Sequence, residues 1–130
     1  MTGISAGYFR VDQKGVIRAW DENTAAYLGY NAADILGKSL DVLIPGSYRE
    51  RHWKGFQAAM TRGFPNEEQP VLNVPLRHAD GKLRLHPVRE VFLRDPFGRA
   101  VGLIVVIGPE KIRGTDNGLS SPFDDALDSD

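Results

Sequence analysis

The sequence predicts an α+β fold: a five-stranded antiparallel sheet with helices packed on one face. Three observations carry that expectation. Tyr48, His52, Phe56 and Met60 recur every fourth residue and define one long amphipathic helix in mid-chain. Two short apolar runs precede it, and three runs follow it, separated by turns at Asp80-Gly81 and Asp95-Pro96-Phe97-Gly98. The last run, Ala100–Ile107, is almost wholly apolar, as a central strand covered on both faces would be.

In chain order, residues 8–12 and 15–20 read as two strands joined by Asp12-Gln13-Lys14-Gly15. Asp21 can cap a short helix over Glu22–Leu28, favoured by Ala25, Ala26 and Leu28 and ended by Gly29. Asn31 opens a second short helix over 32–36, stopped at Gly37. A turn through 40–44 leads to Pro45. Ser47 and Glu50 then form a capping box for the long helix. Gly63 supplies its left-handed stop. Arg49, Glu50, Arg51, Lys54 and Gln57 fall on the water side of that helix. Residues 64–70, with Pro65 and Pro70, read as a loop. Residues 71–78 read as a strand in which Pro75 demands an edge or a bulge. Leu83–Arg94 alternates: Leu83, Leu85, Val91 and Leu93 on one side, Arg84, His86, Glu90 and Arg94 on the other. Arg89 falls on the apolar side, which the alternation aims at the core.

Size and composition bound the function. A chain of 130 residues with 42% hydrophobic and 25% charged residues is one ordinary globular domain, expected over 6–109. Residues 110–130 hold six acidic and two basic side chains, a net of −4, so the remainder carries +3 of the chain's −1. A body so mildly basic argues against nucleic acid as a partner. The acidic stretch is expected to be a disordered tail from 114 onward. With no cysteine, disulfides, thiolate zinc sites, cysteine nucleophiles and flavin–cysteinyl photochemistry are excluded. No secretory pattern opens the chain and no apolar run spans a membrane, so a cytoplasmic location is expected.

The stretch WDENTAAYLGYNAADILGKSL holds an Asn-x-Ala-Ala core (Asn23, Ala25, Ala26), then Leu28-Gly29-Tyr30, then Ile35-Leu36-Gly37. With the Asp12/Gly15 and Asp80-Gly81 turns and the apolar last strand, residues 8–108 resemble a PAS domain. The resemblance implies a PAS-type sheet and a sensor or interaction module. Its pocket would hold haem, flavin, a small metabolite or nothing. Signals would leave through the outer sheet face or beyond the last strand. No enzymatic or DNA-binding domain is visible beside it, so the output would pass to a partner protein in trans. The resemblance also implies a homodimer, formed through the outer sheet face or the N-terminal segment.

The segment Tyr48-Arg49-Glu50-Arg51-His52 is similar to the haem-binding PAS domains of bacterial oxygen-sensor kinases, in which the matching His is the proximal iron ligand. That likeness implies haem b held through His52. The pocket would be lined by Tyr48, Phe56 and Met60 from the helix and by Leu72, Val74, Arg89 and Val91 from the sheet. The distal arginine of those sensors falls near Leu72 here, and the propionate-holding positions fall on Ala58 and Asn66. The oxygen-sensor pattern is therefore incomplete. A neutral imidazole on an apolar face suits iron; without iron it must bond a backbone carbonyl. An inward Arg89 must meet an anion, either a haem propionate or a carboxylate metabolite, unless a bulge near Pro87 turns it outward. His78 and His86 flank the hairpin as solvated strand positions, and two His without a third ligand do not make a metal site. Trp53 is expected to cover the sheet rim. No Ser–His–acid order, carboxylate pair or phosphate loop stands out, so the chain does not read as an enzyme. The main reading is a sensor that passes a redox or gas signal from haem on His52. The alternative is a haem-free PAS domain that binds an organic ligand or serves as a protein–protein module.

Overall fold

Five strands form one antiparallel sheet in the order β2-β1-β5-β4-β3: β1 (Gly7–Asp12), β2 (Ile17–Trp20), β3 (Leu72–Arg77), β4 (Leu83–Arg94) and β5 (Ala100–Ile107). Three helices, α1 (Glu22–Leu28), α2 (Ala32–Ile35) and α3 (Arg49–Arg62), connect β2 to β3 and cover one face. This is the expected α+β fold. The computed structural model describes residues 6–62 and 71–111. The expectations for Gly63, the 64–70 loop, Asn66 and the tail beyond Lys111 lie outside those residues.

Local chemistry accounts for each joint. Asp12 Oδ1 accepts from the amides of Lys14 (2.8 Å) and Val16 (3.0 Å), which closes the β1–β2 turn. Gly15 takes φ +80° there, and a Cβ at that position would overlap the Trp53 ring that lies on the turn. Asp21 caps α1 by accepting from Thr24 N at 2.8 Å, and Gly29 ends it in the left-handed region. The expected capping box is replaced. A 3-10 turn, Gly46–Tyr48, leads into α3, with Pro45 as its cap and its carbonyl accepting from Tyr48 N at 2.9 Å. Ser47 thus sits inside the turn, one step later than a cap. The fixed φ of Pro45 starts the turn before Ser47 is reached.

The Asn-x-Ala-Ala core pins α1 to the sheet. Asn23 Nδ2 donates to Ala6 O (3.0 Å), and the fully buried Thr24 hydroxyl donates to Tyr8 O (3.2 Å). A second brace runs across the molecule. Trp20 Nε1 donates to Tyr30 O (2.9 Å) and the Tyr30 hydroxyl donates to Arg77 O (3.1 Å). Pro75 sits in β3, an edge strand, where its missing N–H is tolerated.

The inner sheet face is set by β5. Leu103, Val105 and Ile107 are buried in the core with Phe9, Val11 and Ile17, so these side chains point toward the helices. On β4 their partners are Phe92, Glu90 and Val88. Paired residues share a face. The inner face of β4 is therefore the even-numbered one, the reverse of the sequence expectation. Leu83, Leu85, Arg89, Val91 and Leu93 stand on the outer face. The misreading has a physical cause. Both faces of β4 carry apolar groups, and Leu85 and its partner Pro75 are buried on the outer side, so apolarity alone does not say which face is inward. No bulge occurs at Pro87: the register runs unbroken from Arg77↔Leu83 to Leu72↔Val88 and on to Leu93↔Gly102.

Candidate functional site

Two clusters of titratable side chains lie between the sheet and its helices. The first is under α3. His52, Trp53, Phe56, Ala59 and Met60 make the covered side of this helix, and α3 approaches β5 to within 8 Å between Cα atoms. The spacing is that of an amphipathic helix, with Trp53 and Ala59 added to the expected stripe. Trp53 Nε1 donates to Asp41 Oδ1 while its ring covers the β1–β2 turn, the expected rim position. His52 stacks on Phe56 (6.1 Å between centroids, 29°) and meets Trp53 edge-on at 4.9 Å. Its Nδ1 is buried with no hydrogen-bond partner among the described residues. The backbone carbonyl expected to satisfy it is not there. Burial holds the His52 pKa below the ordinary imidazole value, and the nearby Asp41 carboxylate opposes that shift.

Across from α3 stands Glu90, paired with Val105 and flanked on its own face by Val88 and Phe92. It has neither a hydrogen-bond nor an ionic partner among the described residues. Burial alone pushes its carboxyl above the ordinary glutamate value. The alternation of β4 exchanges the two residues: Glu90 takes the inward place expected of Arg89, and Arg89 pairs with Val106 on the outer face. Val91, likewise expected in the pocket, is 47% exposed opposite Ile104. Of the other expected lining residues, Phe56 is buried in the core, Met60 and Val74 pack against it, and Tyr48 is half-buried with Arg51 over its ring. Leu72 pairs with the core residue Val88 at the sheet edge and is 43% exposed.

The second cluster is at the β3–β4 hairpin, beside the C-terminal end of α1. His86 is fully buried, and its Nδ1 lies 2.9 Å from Gly108 O. Its Nε2 lies 2.8 Å from His78 Nε2. A carbonyl only accepts, so Nδ1 of His86 carries the proton, Nε2 of neutral His86 accepts, and His78 donates. Burial first, then the neighbouring His86 and Arg84, push His78 down to about 4, with Asp80 opposing; burial lowers His86 as well. Around them Arg84 bonds Asp80 at 2.7 Å and reaches Glu110 at 3.8 Å. His86 is therefore inward and bonded, where the sequence placed it outward in water. Glu90 and the His pair were missed in the sequence for one reason, the face of β4. The usable signal was Val88 and Phe92, four apart, bracketing Glu90 on one face.

A family model described as the PAS fold matches residues 1–109. The chain belongs to the PAS family. Solved structures agree on the fold. A PAS domain from Colwellia psychrerythraea superposes with TM-score 0.66 at 17% identity, covering 78% of this chain and 83% of that one. A variant PAS-B domain of Drosophila melanogaster Cycle with bound glycerol gives 0.64 at 14%, covering 81% and 99%. The PAS domain of the Cronobacter turicensis RpfR quorum-sensing receptor, in complex with BDSF, gives 0.61 at 13%, covering 86% and 100%. No curated protein matches the chain. Among the described residues no helix is long and apolar enough to cross a membrane, and no group of three or more His, Asp or Glu side chains is arranged to hold a metal ion.

The PAS interior fits haem b poorly. Arg89 and Val91 face away from it, Glu90 sets a carboxyl where a porphyrin face would lie, and α3 rests directly on β5. His52 alone of the haem-directed features keeps a ring nitrogen uncommitted.

Proposed function

We propose that this PAS domain is a sensory module that binds a small organic molecule between α3 and the inner sheet face and reports occupancy to a partner protein. The reading gives it no catalytic step of its own. The observation that carries it is the unpartnered Nδ1 of His52, a buried polar atom at the helix–sheet interface. Such an atom costs on the order of 1–3 kcal/mol when nothing bonds it, and folded proteins keep few of them. A ligand group bonded to it removes that cost. For output, the outer sheet face exposes Tyr8 (53%) and Val91 (47%) around Ile104 and Val106. We assign that face to a second copy of the chain or to the partner protein.

Backbone-amide NMR of the full chain tests the reading, with n-hexanol, n-hexylamine and hexanoate as probes. Saturable shifts grouped at Phe56, Val88 and Val105 are expected from at least one probe. No saturable shift from any of them overturns the proposal. Absorbance after haem supply separates the competing reading. No Soret band is expected, and a Soret band lost in His52→Ala would replace the organic ligand by haem b on His52.

A further inference from the structure

Glu90 is the charged group that the strand register turns inward. Its neighbours on that face are Val88, Phe92 and Val105, and it has no partner among the described residues. Nothing in its fold-level surroundings explains a carboxyl there. Val88, two residues before it, and Phe92, two residues after it, show that the position itself is apolar. An unpaired carboxylate in such a place is costly and is kept neutral unless a cation joins it.

The same register moves Arg89 to the outer face. Among the described residues, the inward-facing positions of β4 from Val88 to Phe92 and of β5 from Leu103 to Ile107 therefore include no basic side chain. A carboxylate ligand, which an inward Arg89 would have suited, finds no counter-charge on these strands. We propose that Glu90 makes the interior site selective for an organic amine, bound as its ammonium, with an apolar body against Val88, Phe92 and Phe56. An ammonium supplies three donors and a full charge to a carboxylate that has neither. In a site of reduced dielectric that pairing discriminates strongly against a neutral or anionic head of the same size. His52 contributes no competing charge, because burial holds its ring neutral.

This inference rests on the interior site proposed above, and its test separates the two. The full chain is titrated with n-hexylamine, n-hexanol and hexanoate at pH 7, read by amide NMR and by calorimetry. Hexylamine is expected to bind roughly ten-fold or more tighter than hexanol, with hexanoate weakest. Glu90→Gln is expected to bring the amine-to-alcohol ratio close to one and to leave hexanol affinity nearly unchanged. Glu90→Leu, which also removes the carboxyl, should do the same, and His52→Leu should keep the preference. Because Glu90 makes no bond, neither substitution at 90 removes a contact the fold uses. If hexanol binds but hexylamine is not preferred, or if Glu90→Gln keeps the preference, the amine assignment falls and the interior site stands. If no probe binds, both fall.

Discussion

The two titratable clusters under the helices of this PAS domain differ in one respect. Beside α1, every nitrogen that links His78, His86 and Gly108 has a partner at 2.8–2.9 Å. Under α3, His52 Nδ1 and the Glu90 carboxyl have none. Both clusters lie in the same small core, and both have perturbed acid–base behaviour driven by burial. A perturbed group alone does not mark a binding site, since a bonded network perturbs its members too. The open hydrogen-bonding capacity is what separates them. The hairpin pair is structure: it ties β4 to the first residue after β5. The α3 pair is capacity held for something else.

Three measurements break or sharpen that contrast. The largest effect is expected from His86→Ala. It leaves Gly108 O and His78 Nε2 unpaired and opens a cavity, so urea denaturation should show a loss of about 2–4 kcal/mol. A loss under about 1 kcal/mol would erase the distinction between the clusters.

The next effect is on pH dependence, where the clusters pull in opposite directions. His78 is pushed down to about 4 from an ordinary 6.5. The unfolded chain takes up a proton as pH falls through about 6.5, while the native pair resists until near 4. The pair's contribution is thus complete above 6.5 and declines as pH falls toward 4. Glu90 is raised from 4.5, so the native state keeps a proton that the unfolded chain releases. Its contribution declines as pH rises above 4.5. Urea midpoints between pH 4.5 and 8 should rise less steeply with pH in His78→Gln than in wild type, and more steeply in Glu90→Gln. Parallel curves for all three proteins would remove the electrostatic half of the comparison.

The smallest effect is a gain. Removing unsatisfied groups should not harm the fold, so Glu90→Leu is expected to stabilise the empty protein at pH 7 by about 1 kcal/mol, and His52→Leu to change it by less. A loss above about 2 kcal/mol in either variant would show that the group has a structural partner after all.

Most of the elements were legible from local chemistry. Asp21 and Gly29 bound α1, and Asp80-Gly81 closes the β3–β4 hairpin. The apolar run Ala100–Ile107 is a central strand, and Pro75 lies on an edge. Each of these depends on φ preferences, caps or turn residues within a few positions of one another. The start of α3 shows the limit of such reasoning, because Pro45 and Ser47 both offer a beginning and the proline acts first.

The sequence by itself determined the PAS family, the order of helices and strands, the long helix with His52 on its covered side, and the absence of cysteine chemistry. The tertiary structure alone decided which charge enters the core. A period of two sorts β4 into two faces but does not say which is inner when both carry apolar groups. That choice was made by β5, whose Leu103, Val105 and Ile107 must bury against the helices and carry Phe92, Glu90 and Val88 with them through the hydrogen-bonded register. One residue of shift exchanges Arg89 for Glu90 and brings His86 from water to the hydrogen bond that holds the exit of β5.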